Sequence, residues 1–381
     1  MKTQIKLYPH QENFLKDNPD HALLAFDTGT GKTLSALLWM EKRQKYHNFL
    51  IITPKNIKGK WKEDMKEYPK INHLLVTKEE FKTISKKNLQ EYGVVVIDEA
   101  DYFGSSLFTK GRSALAEHLY NYIKDVDPNV LLMTATPLRN APHTIHTLLT
   151  YIHKAPKWQV WQEMCYSLEK RPFLLMPAWM PKKIWRKHAI DYARPCMYVA
   201  KIEDIVDVPT QYEEKYEIKT TPLKNYLTDT PVGQWHEEAR AENGKEKLDW
   251  IKEYIRGKSK VIIVCRYKDQ IAEYDKELEK IREVFVLTGD VNNQDEVIKN
   301  ARDSFECVFI MQASMGAGFE MPKFSYMIFA SLSFSHRDYI QSKGRVLRIN
   351  KLKSNWYTHL IGGPKDKSVY DKIMLAEDFK I

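Results

Sequence analysis

Eight short apolar runs constrain this chain more than any other feature. Ala22–Phe26, Phe49–Thr53, Val94–Ile97 and Val130–Met133 make a first set, and Val261–Cys265, Val284–Leu287, Val308–Met311 and Tyr326–Phe329 a second. Each run is bounded by turn residues and is apolar throughout rather than alternating, the pattern of a parallel strand buried on both faces. The spacers, such as KDQIAEYDKELEKI, are long enough for helices. The β-α order therefore occurs twice, which predicts an α/β fold with two doubly wound parallel-sheet lobes. At 381 residues the chain is also too long for a single typical core.

Between the two sets the pattern breaks. A stretch rich in tryptophan and proline, KAPKWQVWQEMCYSLEKRPFLLMPAWMPKKIWRKHAIDYARP, reads as helical and irregular. From His153 to Lys201 there are ten Lys or Arg against three acids, a net +7 within a chain whose formal charge is +9. The expected organisation is a first lobe over 1–150, a basic, aromatic insertion over 151–208, and a second lobe over 209–381. VPTQYEEKYEIKTT alternates like an exposed strand leading into that second lobe.

Composition narrows the class. With 43% hydrophobic and 29% charged residues the chain reads as an ordinary globular protein. No apolar run approaches the roughly 20 residues of a membrane span, and the polar first residues do not resemble a secretory signal, so a cytoplasmic location is expected. The cysteines Cys165, Cys196, Cys265 and Cys307 form no C-x-x-C pair, which argues against a zinc ribbon or a disulfide framework.

The segment LLAFDTGTGKTLSALL places two glycines one residue apart where a buried strand becomes a helix. A loop of this kind turns its backbone N–H groups inward as a nest for phosphate, and glycine lets the chain approach the anion closely. Thr28, Gly29, Thr30 and Gly31 would form the cradle, Lys32 would reach the β- and γ-phosphates, and the Thr33 hydroxyl would bind Mg²⁺. Phe26 stands where many such loops carry Gly or Ala. The G-x-G-x-x-G dinucleotide pattern is absent, so a nicotinamide or flavin enzyme is not indicated. In VVVIDEAD, Asp98 and Glu99 directly follow four β-branched residues and so sit at the carboxyl end of a strand. Asp98 is the expected metal ligand and Glu99 the expected general base for an attacking water.

With these motifs the chain resembles a superfamily-two helicase or translocase over nearly its whole length, which implies RecA-like lobes, ATP and Mg²⁺. LYPHQ resembles the segment whose glutamine, here Gln11, reads adenine. IITPKNIKGKW is similar to the Swi/Snf form of the next motif, including its proline and tryptophan. LLMTATPLRN resembles the motif that couples hydrolysis to movement, with Thr134 and Thr136 in the coupling positions. MGAGFEMP resembles a segment touching nucleotide and nucleic-acid backbone. It is closer to the phage branch-migration type, UvsW, than to the GGxGLNL of Swi/Snf proteins, and it puts Glu320 in the ribose-contact role. QSKGRVLR resembles the arginine-finger motif, with Gln341 positioning water or the γ-phosphate and Arg345 and Arg348 on one face of a helix turn. The DEAD letters invite an RNA-helicase label, whereas TAT and Q-x-x-G-R-x-x-R favour DNA translocases.

Thr53, Lys55, Thr77, Thr288 and Ser314 fall in or near motifs that supply phosphate contacts, which would make binding salt-dependent and largely sequence-blind. Lys182, Lys183, Arg186 and Lys187, interleaved with Trp179 and Trp185, form a candidate basic surface for DNA, with a small helical core as the competing reading of the tryptophans. The expectation is a monomeric ATP-driven motor on duplex or branched DNA. The alternatives are an RNA helicase, or an ATP-switched nucleic-acid-binding module that recruits a partner such as a nuclease or polymerase, including in replication or recombination.

Overall fold

The computed structural model describes residues 6–45, 48–108, 113–139, 141–170, 177–205, 207–223, 225–316, 319–347 and 354–377. The chain divides after Ile205 into two compact units. In the first, strands β1 (His21–Phe26), β2 (Phe49–Thr53), β3 (His73–Thr77), β4 (Val94–Asp98) and β5 (Asn129–Met133) are followed by a hairpin, β6 (Tyr166–Glu169) and β7 (Ala178–Pro181), and by β8 (Tyr198–Ala200). The sheet order is β3-β2-β4-β5-β1-β8, parallel throughout. Leu23, Ile52, Val95 and Leu132 enter one buried cluster, and Leu24, Ile51, Val96 and Leu131 enter another. Apolar layers on both faces are the reason the strands do not alternate.

The second unit contains β9 (Thr210–Glu217), β10 (Lys260–Cys265), β11 (Val284–Leu287), β12 (Cys307–Gln312), β13 (Tyr326–Phe329) and β14 (Ser354–Ile361). They form a second parallel sheet in the order β11-β12-β10-β13-β14-β9. Both units are thus doubly wound α/β sheets, as the eight runs predicted. Strands β3, β8 and β14 add to those runs. β3 begins with exposed His73 and half-buried leucines, so its apolar signal is short. β14 carries buried Asn355, Thr358 and His359, polar residues that mask a core strand.

The basic, aromatic stretch is built of the helix Trp158–Cys165, the β6–β7 hairpin and the helix Trp185–Ala193, and ends in β8 beside β1. Trp161, Cys165, Trp185, Ala189 and Ala193 share one buried cluster with β4, β5 and the helix Pro142–Tyr151. Large aromatics gain more by burial than any other side chain, and here that gain fastens these helices and strands to the first unit. Trp179 remains 46% exposed. Among the described residues no helix is long and apolar enough to cross a membrane.

Candidate nucleotide-binding and hydrolysis site

The strand order sets β1, β5 and β4 side by side, so the segments leaving their carboxyl ends converge at one edge of the sheet. Ligands of open α/β sheets bind at this edge. After β1 the chain passes through Gly29 (φ 90°) and Gly31 (φ 86°), both in the left-handed region that costs glycine nothing, and enters the helix α2 (Lys32–Arg43). Thr30 is buried, and its hydroxyl donates to Asp27 O at 2.8 Å. The Asp27 carboxylate in turn accepts Ile202 N at 3.1 Å, and Asp27 N donates to Ala200 O at 2.8 Å, so the chain leaving β8 braces the loop. Thr28 and Thr33 are partly exposed, with Thr33 in the first turn of α2.

The helix α1 (Pro9–Asp17) packs its first turn on this loop. Gln11, only 1% exposed, accepts Tyr8 N at 2.9 Å and donates to Gly31 O at 3.3 Å. His10 donates through Nε2 to Thr30 O at 2.9 Å and sets its ring edge-on to Phe26, centroids 4.8 Å apart. Phe26 therefore takes the place of a small residue because its side chain fills the core under α1, leaving only its backbone to the loop. A Cβ on Gly31 would stand 2.3 Å from Gln11 Nε2. Gly31→Ala is expected to weaken ATP binding about tenfold, since it adds left-handed strain of roughly 1–2 kcal/mol and displaces Gln11. Nucleotide titration beside a thermal melt checks this, and unchanged affinity would contradict it.

Lys32 folds its ammonium over the loop, donating to Phe26 O at 2.7 Å and Asp27 O at 3.1 Å. Asp98 ends β4 and is held from two sides. Its Oδ2 accepts the indole Nε1–H of Trp61 at 2.9 Å, and its Oδ1 accepts Glu99 N at 3.0 Å. Trp61 comes from α3 (Lys58–Met65) and is fully buried. Burial raises the Asp98 pKa, while the Trp61 hydrogen bond and the nearby Lys32 charge oppose that rise. Glu99 takes a left-handed backbone (φ 52°, ψ 52°), which turns the chain sharply out of the strand. A carboxylate kept out of water beside a nest of backbone amides suits a phosphate-bound divalent cation.

A second connection runs from Asp101, which is fully buried. It accepts the Thr134 hydroxyl at 3.2 Å and pairs with Arg139 at 3.5 Å, and the Thr134 hydroxyl accepts Thr136 N at 3.0 Å. The segment after β5 is therefore tied to the segment after β4 through side chains. Asp101, Arg139, His10 and the Trp61 contact were not assigned from sequence. The last letter of DEAD and the tryptophan of IITPKNIKGKW were the available signals.

In the second unit Gln341 is 2% exposed on the helix His336–Lys343. That helix ends at Lys343, so Arg345 lies beyond it. Arg345 is instead buried in the following turn, where Nε donates to Gln341 O at 2.8 Å and Nη1 to Phe319 O. Arg348 lies outside the described residues. Glu320 is exposed, and its carbonyl accepts Arg302 Nε at 2.7 Å.

Thr53, Thr77, Thr288 and Ser314 all lie at or just beyond the carboxyl ends of strands, with Lys55 exposed in the turn after β2. Thr77 already has a local task, because its hydroxyl caps the helix Lys78–Phe81 by accepting Glu80 N at 3.2 Å. Among the basic residues Lys183 and Lys187 are exposed, while Lys182 donates to Glu163 O at 2.5 Å. Arg186, expected on the same exposed surface, is buried and packs its guanidinium 4.7 Å from the Trp185 ring. Burial lowers its pKa to about 10.

Comparison with known proteins places relatives on both units. The family model described as type III restriction enzyme, res subunit, matches residues 1–89, that of the DEAD/DEAH box helicase 52–144, and that of the helicase conserved C-terminal domain 246–350. Two chromatin-remodeling ATPases INO80, from two strains of Cryptococcus neoformans var. neoformans serotype D, are each 23% identical over 170 residues. That region is 35% of this chain and 9% of the length of those relatives. A solved Sulfolobus solfataricus SWI2/SNF2 ATPase core, in complex with dsDNA, aligns over 94% of this chain and 88% of its own, at 16% identity and a TM-score of 0.45.

Proposed function

We propose that this chain, matched by helicase family models on both units, hydrolyses ATP and uses the energy to move along, or remodel, duplex or branched DNA. The observation that carries this reading is the convergence of the Gly29–Thr33 loop, Asp98–Glu99 and the Asp101–Thr134 link at adjacent strand ends of one sheet.

Each residue has a task that its position supports. The amides of 28–33 receive the phosphates, and Lys32 exchanges its two carbonyl partners for phosphate oxygens. Thr33 and Asp98 would hold Mg²⁺, which supplies charge neutralisation between the β- and γ-phosphates. The Trp61 hydrogen bond fixes the orientation of the Asp98 carboxylate. Glu99, turned out of the strand, accepts the proton of the attacking water. Gln11, hydrogen-bonded to Gly31 beside the loop, is assigned the adenine contact. A change at Glu99 is passed through Asp101 to Thr134 and Thr136, the residues assigned to coupling. In the second unit, Gln341, Arg345, Arg348 and Glu320 are the residues that the family resemblance assigns to hydrolysis and nucleotide contact.

We assign DNA contacts to Thr53, Lys55, Thr77, Thr288 and Ser314, and to the exposed Lys183, Lys187 and Trp179. Lys182 and Arg186 contribute less, because each is engaged within the first unit. We place the motor as a monomer acting on replication, recombination or repair intermediates, in the manner of compact phage-type members. Steady-state ATP hydrolysis with no nucleic acid, single-stranded DNA, duplex DNA, a four-way junction and RNA tests the reading, with Lys32→Ala as control. Duplex or branched DNA is expected to stimulate turnover most. Stimulation by RNA alone would make the chain an RNA helicase, and flat turnover across all five would end the motor reading.

A further inference from the structure

At the end of the first sheet away from the phosphate loop, three side chains with metal-ligating atoms meet. His21 opens β1, Asp127 follows the helix Ala114–Val126 just before β5, and His153 follows the helix Pro142–Tyr151. β1 and β5 are neighbours, with His21 opposite Val130, which is why residues so distant in sequence come together. One ligand atom from each lies within 4.8 Å of the others. His153 Nε2 and Asp127 Oδ1 are 3.4 Å apart, and the rings of His21 and His153 stand edge to face at 4.7 Å.

We propose that His21, Asp127 and His153 form a site for a first-row divalent transition cation of the zinc type, distinct from the nucleotide-bound Mg²⁺. Zinc ligands at about 2.0–2.2 Å in tetrahedral arrangement are roughly 3.3–3.5 Å apart. The His153–Asp127 pair already has that separation, and both side chains are at least half exposed, free to close on His21. Two imidazoles and one carboxylate favour zinc, cobalt or nickel over magnesium, which prefers oxygen ligands and keeps its waters. His21 Nδ1 is shielded from solvent and has no hydrogen-bond partner among the described residues.

Asp127 (φ 49°) and His153 (φ 57°) also occupy left-handed positions after their helices, where glycine is the least costly residue. The chain has a side chain with a ligating atom at both. A cation here would join the start of β1, the entry to β5 and the end of the Pro142–Tyr151 helix. β1 and β5 are two of the strands whose far ends carry the phosphate loop and Thr134.

The test uses the full chain without a polyhistidine tag, stripped with chelator and titrated with Co²⁺ and then Zn²⁺. One equivalent of Co²⁺ is expected to give visible d–d absorption, displaced by Zn²⁺, with the melting temperature raised by a few degrees. His153→Ala and Asp127→Asn, both at exposed positions, should each weaken binding at least tenfold while leaving Lys32-dependent ATP hydrolysis unchanged. Variants that bind Co²⁺ as the parent does, or a parent that binds none at micromolar concentration, would overturn the site.

Discussion

Glu99→Gln is expected to bind ATP as the parent does and to hydrolyse it about 10²–10⁴-fold more slowly, the usual contribution of a positioned general base. The amide is nearly the same shape as the carboxylate, so it preserves the left-handed turn at Glu99 and the Glu99 N to Asp98 Oδ1 hydrogen bond. What it removes is the ability to take a proton. Lys32→Ala should behave differently and lose nucleotide affinity as well, because the ammonium over the loop is the only charge that α2 offers there at its first residue. Displacement of a fluorescent nucleotide, measured beside single-turnover hydrolysis, separates the two. Wild-type turnover in Glu99→Gln would move the base to another residue.

The second large effect concerns stability. Lys247 is fully buried, and its ammonium is surrounded by Asn243 Oδ1 at 2.7 Å, Ala330 O at 2.7 Å, Leu360 O at 2.8 Å and the Asp366 carboxylate. Asp366 also accepts Asn243 Nδ2 at 3.1 Å and Gly362 N at 3.0 Å. Burial lowers the Lys247 pKa, and Asp366 acts against that shift. The network joins the helix Lys245–Tyr254, the ends of β13 and β14, and the helix Pro364–Glu377. Lys247→Met leaves a buried carboxylate without its cation and is expected to destabilise the second unit by about 3–5 kcal/mol. Adding Asp366→Asn should recover part of that loss, since the remaining group is then neutral. Hydrogen exchange of the β13 and β14 amides reads the effect. A change under about 1 kcal/mol in Lys247→Met would mean that the lysine is incidental to the fold.

Within the first unit, side chains tie the segments that leave β4 and β5 to each other. Asp101 lies three residues beyond the end of β4, and Thr134 begins the segment beyond β5. Their hydrogen bond makes the two segments move together. Both side chains are fully buried, where the low dielectric strengthens the bond and makes it costly to break.

Sequence alone determined the strands with continuous apolar runs, the two glycines in the turn after β1 and the acids at the carboxyl end of β4. These signals are local. A strand buried on both faces must be apolar along its length, and left-handed positions at 29 and 31 demand glycine. Only the tertiary structure decided what those residues lean on. Trp61 reaches Asp98 because α3 packs against the sheet. Arg186 and Lys247 are hidden although charge predicts exposure, and β14 is a core strand although its residues read as polar. His21, Asp127 and His153 meet only because the sheet sets β1 beside β5. Side-chain environment depends on strand order and on which helix covers which face, and those are properties of the packed chain that no window of sequence contains.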